Sequence, residues 1–168
     1  NNNGCYSPIL ELMDSHRSFK LVIGIVARLI NANSNGDRNL INDEPTPHYI
    51  DVARKLLFIV GSKHIDVNVK AGRLRGLDPI WSKGFWVTRG RFGKGLSSIL
   101  GVSELPILLN TDRLSYLIMV DAHNEDHREA KSTLARSRTQ AWIVKGMQLA
   151  RKVVAECQCC KLKRRILL

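Results

Sequence analysis

The sequence predicts an α+β protein, in which helices with a small antiparallel β-sheet are followed by a C-terminal domain of three to four helices. Three observations carry this. Apolar residues recur at helical spacing in two stretches before residue 62, glycines punctuate short alternating segments between 65 and 110, and helical periodicity returns after residue 110. The chain divides accordingly into an N-terminal helix and loop (1–45), an α+β domain (46–110) and a helical domain (111–168).

The first helix covers 18–33. Phe19, Leu21, Val22, Ile25, Val26, Leu29 and Ile30 form its apolar stripe, and a polar stretch over 31–43 that contains Gly36 ends it. Thr46, between Pro45 and Pro47, is a suitable N-cap for the second helix, whose Ile50, Ala53, Leu56, Leu57 and Val60 repeat until Gly61 closes it. In the glycine-rich middle, Phe85, Val87 and Arg89 alternate with Trp86, Thr88 and Gly90, so 85–92 and 105–109 are the strand candidates. A sheet this small needs the two upstream helices as a cover. Thr111 is the expected N-cap of a helix carrying Leu114, Leu117, Ile118 and His123, with further helices at 130–138 and 147–156.

Of the 168 residues, 44% are apolar and 24% charged, a globular composition. The net charge of +11 and a pI near 9.9 favour polyanionic partners, of which nucleic acid is the commonest for an intracellular protein. The longest apolar run, 19–30, is interrupted by Lys20 and Arg28 and falls short of the roughly 20 residues that span a bilayer, so no membrane partner is expected. The first seven residues hold no basic stretch leading into an apolar one, which argues against a secretory signal and for an intracellular location. Three of the four cysteines crowd at 157, 159 and 160, where bridging is strained. That crowding favours metal ligation, with Cys5 left as a free thiol.

His123 and His127 lie four apart, a spacing that on a helix projects both imidazoles from one face. Cys157 and Cys160 form a C-x2-C knuckle, completing the pattern H-x3-H-x29-C-x2-C. Tetrahedral zinc takes such a ligand set, and a domain this small needs a staple beyond Leu134, Trp142, Ile143, Val144, Leu149 and Val153 as its core. Helices that pack without metal around buried thiols are the alternative. Cys159 is assigned as a bystander. The segment HNEDH differs from the H-E-x-x-H of metalloproteases: Glu125 sits two residues after His123, about 200° round a helix, and four protein ligands leave no position for water. One structural zinc per chain, with no catalytic residue, is expected.

With these residues in place, 117–165 resembles the zinc-binding domain at the N-terminus of integrases from LTR retrotransposons and retroviruses. The likeness takes in the four ligands, Ser132, Thr133, Leu134, Arg138, Trp142, Gly146, Val153 and the basic tail after Cys160. Family members carry a glycine soon after the second histidine, where this chain has Arg128, Glu129 and Ala130. Upstream, the helix over 19–31, the segment GFWVTRGRF at 84–92 and LPILL at 105–109 are similar to the region preceding that domain in BEL/Pao-type polyproteins. The resemblance implies an N-terminal extension over 46–110 and an integrase zinc domain over 111–168. It also implies binding to double-stranded DNA at element ends, association with other integrase protomers, and residence in the nucleus and in cytoplasmic virus-like particles. Integration itself belongs to an Asp, Asp, Glu core holding divalent metals, and the eight residues after Cys160 have no room for one, so no catalysis is expected of this chain alone. A domesticated zinc-stapled protein-interaction module is the competing reading.

Three sets of basic residues are candidates for phosphate contact: Arg73, Arg75, Arg89 and Arg91, interleaved with Trp81 and Trp86; Lys161, Lys163, Arg164 and Arg165 after the knuckle; and Arg136, Arg138 and Lys145 around the middle helix. A solvated basic hairpin with buried tryptophans is the competing reading of the first set.

Overall fold

The computed structural model describes residues 7–36, 41, 43–89 and 104–166, so Cys5, Arg91 and the end of the 85–92 segment lie outside the described residues. The protein is α+β, and its sheet has four strands in the order β1 (Pro79–Ser82), β2 (Phe85–Arg89), β3 (Glu104–Leu109) and β4 (Trp142–Val144).

Two helices open the described chain, α1 (Ser7–Ser15) and α2 (Phe19–Asn35). The Ser18 hydroxyl caps α2 by accepting from the Leu21 amide at 3.2 Å, and Gly36 ends it in the left-handed region at φ 66°. The buried face is Phe19, Val22, Ile23, Val26, Ala27, Asn31 and Ala32, while Leu21 and Leu29 are each about half exposed. Thus the buried stripe runs one residue round from the predicted one: Ile23 and Ala27 complete the i, i+3, i+4 pattern started by Phe19, and Leu21 and Leu29 face solvent. Next comes α3 (Pro47–Gly61), with Pro47 in its first turn where a missing N–H costs nothing, and then α4 (Ile65–Lys70) and a short 3-10 turn at Arg75–Leu77.

β1 and β2 form a hairpin across Lys83 and Gly84, both at positive φ (54° and 91°), the backbone that lets a two-residue turn follow the strand twist. β2 pairs antiparallel with β3 over 104–106, and β3 then pairs in parallel with β4 over 107–109. The sheet is therefore mixed where a purely antiparallel one was expected. A parallel pair needs a long crossover, and here it is α5 (Arg113–Asn124) and α6 (Ala130–Ser137). After β4 follow α7 (Gly146–Glu156) and α8 (Gln158–Ile166). Asp112, not Thr111, holds the N-cap position of α5, and its carboxylate accepts from the Leu109 amide at 2.9 Å; burial pushes its pKa up against that bond.

Because β4 lies in the C-terminal segment and β3 in the middle one, the sheet runs across the division placed at residue 110. So does the core: Met13, Val22, Leu57, Phe85, Leu108, Leu117, Leu134 and Val153 belong to one buried cluster. Two polar clamps reinforce it over a hundred residues of chain. The Arg113 guanidinium donates to the carbonyls of Met13 (3.0 Å), Asp14 (3.3 Å) and His16 (2.7 Å), satisfying the open C-terminal end of α1. Conversely, the Asp121 carboxylate accepts from the Lys20 amide (2.7 Å) and the Ser18 hydroxyl (3.3 Å), so an acid from α5 sits at the electropositive start of α2. Lys20 also pairs with Glu125 at 2.9 Å, just past the end of α5. The C-terminal end of α5 is thereby held from outside its own segment. No helix among the described residues is long and apolar enough to cross a membrane.

Candidate metal centre

α5 places His123 in its last turn, 1% exposed. Its Nδ1 lies 3.2 Å from the Thr133 hydroxyl, which in turn donates to the Arg128 carbonyl at 3.4 Å. With the Thr133 proton committed to Arg128, the imidazole donates from Nδ1, and Nε2 is left as a lone pair. That Nε2 faces the Cys160 sulfur at 3.3 Å.

His127 is not on the helix, contrary to the spacing-based expectation. Its amide still donates to the His123 carbonyl at 2.8 Å, one last helical bond, but its φ of 49° turns the chain out of α5. This left-handed conformation is uncommon for a non-glycine residue, and it brings Nδ1 of His127 to 3.3 Å from the Cys157 sulfur. The two rings meet edge to face with centroids 5.1 Å apart.

Cys157 occupies the break between α7 and α8, its amide closing α7 on the Val153 carbonyl at 3.1 Å, and Cys160 is buried in the first turn of α8. The four ligand atoms all lie within 4.8 Å of one another, close enough to hold one metal ion. In a tetrahedral zinc site with Zn–S near 2.3 Å and Zn–N near 2.0 Å, donor atoms are about 3.3–3.8 Å apart, so the two 3.3 Å pairs already have the required spacing. Small side-chain rotations would bring in the rest. Cys159 is exposed and outside the cluster, as the bystander assignment expects.

The electrostatics suit cation binding. Burial, followed by the nearby His127, lowers the His123 pKa and favours the neutral imidazole that can ligate. Burial raises the Cys157 thiol, but hydrogen bonds from the Cys160 and Cys159 backbone and side chains outweigh it and hold the pKa below its ordinary value. Glu125 takes no part: it is tied to Lys20 and to Arg136 (2.8 Å), which lower its pKa, in agreement with the rejected protease motif.

Thr133 is the site residue that ligand spacing does not reveal, since its role is to orient a ligand. Replacing it with valine keeps the shape and removes one polar partner of Nδ1, leaving the Arg128 carbonyl, which also accepts from the imidazole; metal affinity is expected to fall about 10–100-fold, measured by chelator competition, with little change in the fold. Unchanged affinity would show that Thr133 is only a helix residue.

The predicted phosphate contacts are dispersed. Arg73 and Arg75 are exposed around the 3-10 turn, and Arg89 is exposed at the end of β2. Trp81 is 60% exposed and stacks edge to face on Trp86, whose indole N–H reaches Asp66 at 3.3 Å, so the hairpin has one free aromatic face and one partly buried tryptophan. Arg136 is engaged by Glu125 (2.8 Å) and Asp126 (3.0 Å). The Arg138 guanidinium lies 4.7 Å above the Trp142 ring, and Lys145 is exposed at φ 55° before α7. Lys161, Lys163 and Arg165 are exposed along α8, which also includes Arg164.

No protein-family model, curated protein or solved structure matches the chain.

Proposed function

We propose that this chain is the DNA-binding and multimerisation region of a retroelement integrase, its C-terminal segment stapled by one structural zinc. The observation that carries the metal half is the convergence, across 29 residues of intervening chain, of a histidine pair and a cysteine pair on one point, with His123 and Cys160 buried and His127 and Cys157 half-buried, and with the Thr133 hydroxyl 3.2 Å from His123 Nδ1. Two soft thiolates and two imidazoles suit zinc, and four protein ligands make the site structural, not catalytic. The integrase half is supported by the resemblance over 117–165 and by the charge of +11. The basic residues of α8 follow the knuckle directly, so the metal would fix the position of the helix that carries Lys161, Lys163, Arg164 and Arg165.

Protein purified without added metal should contain one equivalent of zinc by elemental analysis. It should bind duplex DNA with weak sequence preference, log affinity falling linearly with log salt by about 0.9 per phosphate neutralised. Changing Lys161, Lys163, Arg164 and Arg165 to alanine should lower both affinity and slope in fluorescence anisotropy, with zinc content unchanged. Failure to bind either element-end or scrambled duplex near physiological salt would favour the protein-interaction module instead.

A further inference from the structure

Arg73, Arg138 and Lys145 belong to two separate charge clusters in the sequence, yet they line one hollow of about 430 Å³, floored by Leu74, Trp142 and Met147. The fold brings them together. Arg73 lies in the turn after α4, Arg138 follows α6, and Lys145 separates β4 from α7; it is the parallel pairing of β4 with β3 that carries the last two into the α+β part of the chain. We infer that, if the chain binds DNA as proposed above, this hollow seats successive phosphates of one strand of the duplex backbone.

Among the described residues, no carboxylate lines the hollow and none of the three cations pairs with one. The contrast with Arg136 is instructive, since two residues before Arg138 it is matched by two acids. Like charges gathered in one hollow repel, and an anionic ligand relieves that repulsion. A single phosphodiester carries one charge, so three cations match a run of phosphates, and one strand of duplex DNA presents about one charge per 3.4 Å of axis.

The hollow is also built to hold its shape. Arg138 rests on the face of Trp142 at 4.7 Å, which orients the guanidinium and leaves its edge for a bidentate contact with phosphate oxygens. A Cβ on Gly146 would come within 2.7 Å of Leu134, so glycine there lets the start of α7 close on α6, the two elements that flank the hollow. Lys145 itself adopts φ 55°, a conformation that turns the chain sharply between β4 and α7.

The test is a salt series of duplex binding by anisotropy, on the full chain with zinc, for the parent and for Arg73→Gln combined with Lys145→Asn. Asparagine tolerates the left-handed backbone, so the fold should survive, which thermal melting and zinc content check. The slope of log affinity against log salt should fall by roughly 2 for the double variant, equally on all duplex sequences, and Arg138→Gln alone should lower it by roughly 1. A parent that binds with a steep slope kept in full by these variants, and lowered only by the α8 substitutions, would overturn the phosphate seat while leaving DNA binding intact. A parent that binds no duplex near physiological salt would remove the DNA-binding reading and this seat with it. Tripolyphosphate bound by the parent and not by the double variant, with no duplex bound by either, would identify a site for free phosphates and overturn the assignment to a DNA strand.

Discussion

Cys160→Ser is expected to abolish stoichiometric zinc and to loosen the C-terminal helices, lowering stability by several kcal/mol. Cys160 and His123 are both buried, so replacing the thiolate with a hydroxyl, a poor zinc ligand, leaves three donors and a site that no longer closes around the ion. Among the described residues, the apolar Leu162 and Ile166 of α8 are 56% and 82% exposed, so hydrophobic burial does little to hold this helix and a zinc-closed knuckle would be its main anchor. Zinc binding in small domains of this ligand type is worth about 10–16 kcal/mol of apparent free energy. Here the effect should be smaller, because α5, α6 and β4 share their core with the rest of the chain. Chelator treatment of the parent should reproduce the loss of helical signal, and Cys159→Ser should show neither change. Full zinc content and stability in Cys160→Ser would remove Cys160 from the ligand set, and a parent chain without zinc would remove the metal centre; equal loss in Cys159→Ser would mean that the knuckle is built from the wrong pair.

The ligands were legible in the sequence because chelation imposes a spacing rule that burial does not. A C-x2-C turn and an i, i+4 histidine pair are local requirements, each readable within five residues. The conformation of His127 was not, because its positive φ is imposed by where Cys157 lies, thirty residues further on. The helix over 47–61 was legible through Thr46 at its N-cap and through periodicity, the helix over 113–124 through periodicity alone, and the strand at 104–109 through its apolar run between turn residues. β4 leaves no signal in the sequence because three residues cannot display alternation; Trp142, Ile143 and Val144 become a strand only by pairing with Ile107, Leu108 and Leu109. Without that pairing the sequence pattern offers only antiparallel partners. α1 is a different omission: Ser7 and Pro8 followed by Ile9, Leu12 and Met13 are an ordinary helix start with an i, i+3, i+4 stripe, and Met13 is buried against the core.

Gly61→Ala is expected to destabilise the whole chain in a single transition, by about 2 kcal/mol, or roughly 4–8 °C in melting temperature. Gly61 is the last residue of α3, and a Cβ there would come within 2.5 Å of Leu114 Cδ2 and 2.9 Å of Leu114 Cβ. Leu114 is fully buried in the first turn of α5, so it has no free space to retreat into, and its Cβ cannot be moved by a rotamer change. The helix-propensity gain from alanine, at most about 1 kcal/mol and less at a helix end, is too small to offset that overlap. The contact joins α3 of the middle segment to α5, which carries His123, so separating the two helices strains the metal site as well. Since α1, α2, α3 and α5 contribute to one core, the strain should lower one cooperative transition and not a local one. Leu114→Ala in the same chain removes the Cδ2 overlap but keeps the one with Cβ, so the double variant should recover part of the loss and be more stable than the sum of the two single changes predicts. Thermal and urea denaturation of the parent, both single variants and the double variant measure this directly. A Gly61→Ala protein as stable as the parent would show that α3 and α5 do not approach this closely. A melt split into two transitions, with only the first shifted, would show that 46–110 and 111–168 fold as separate domains.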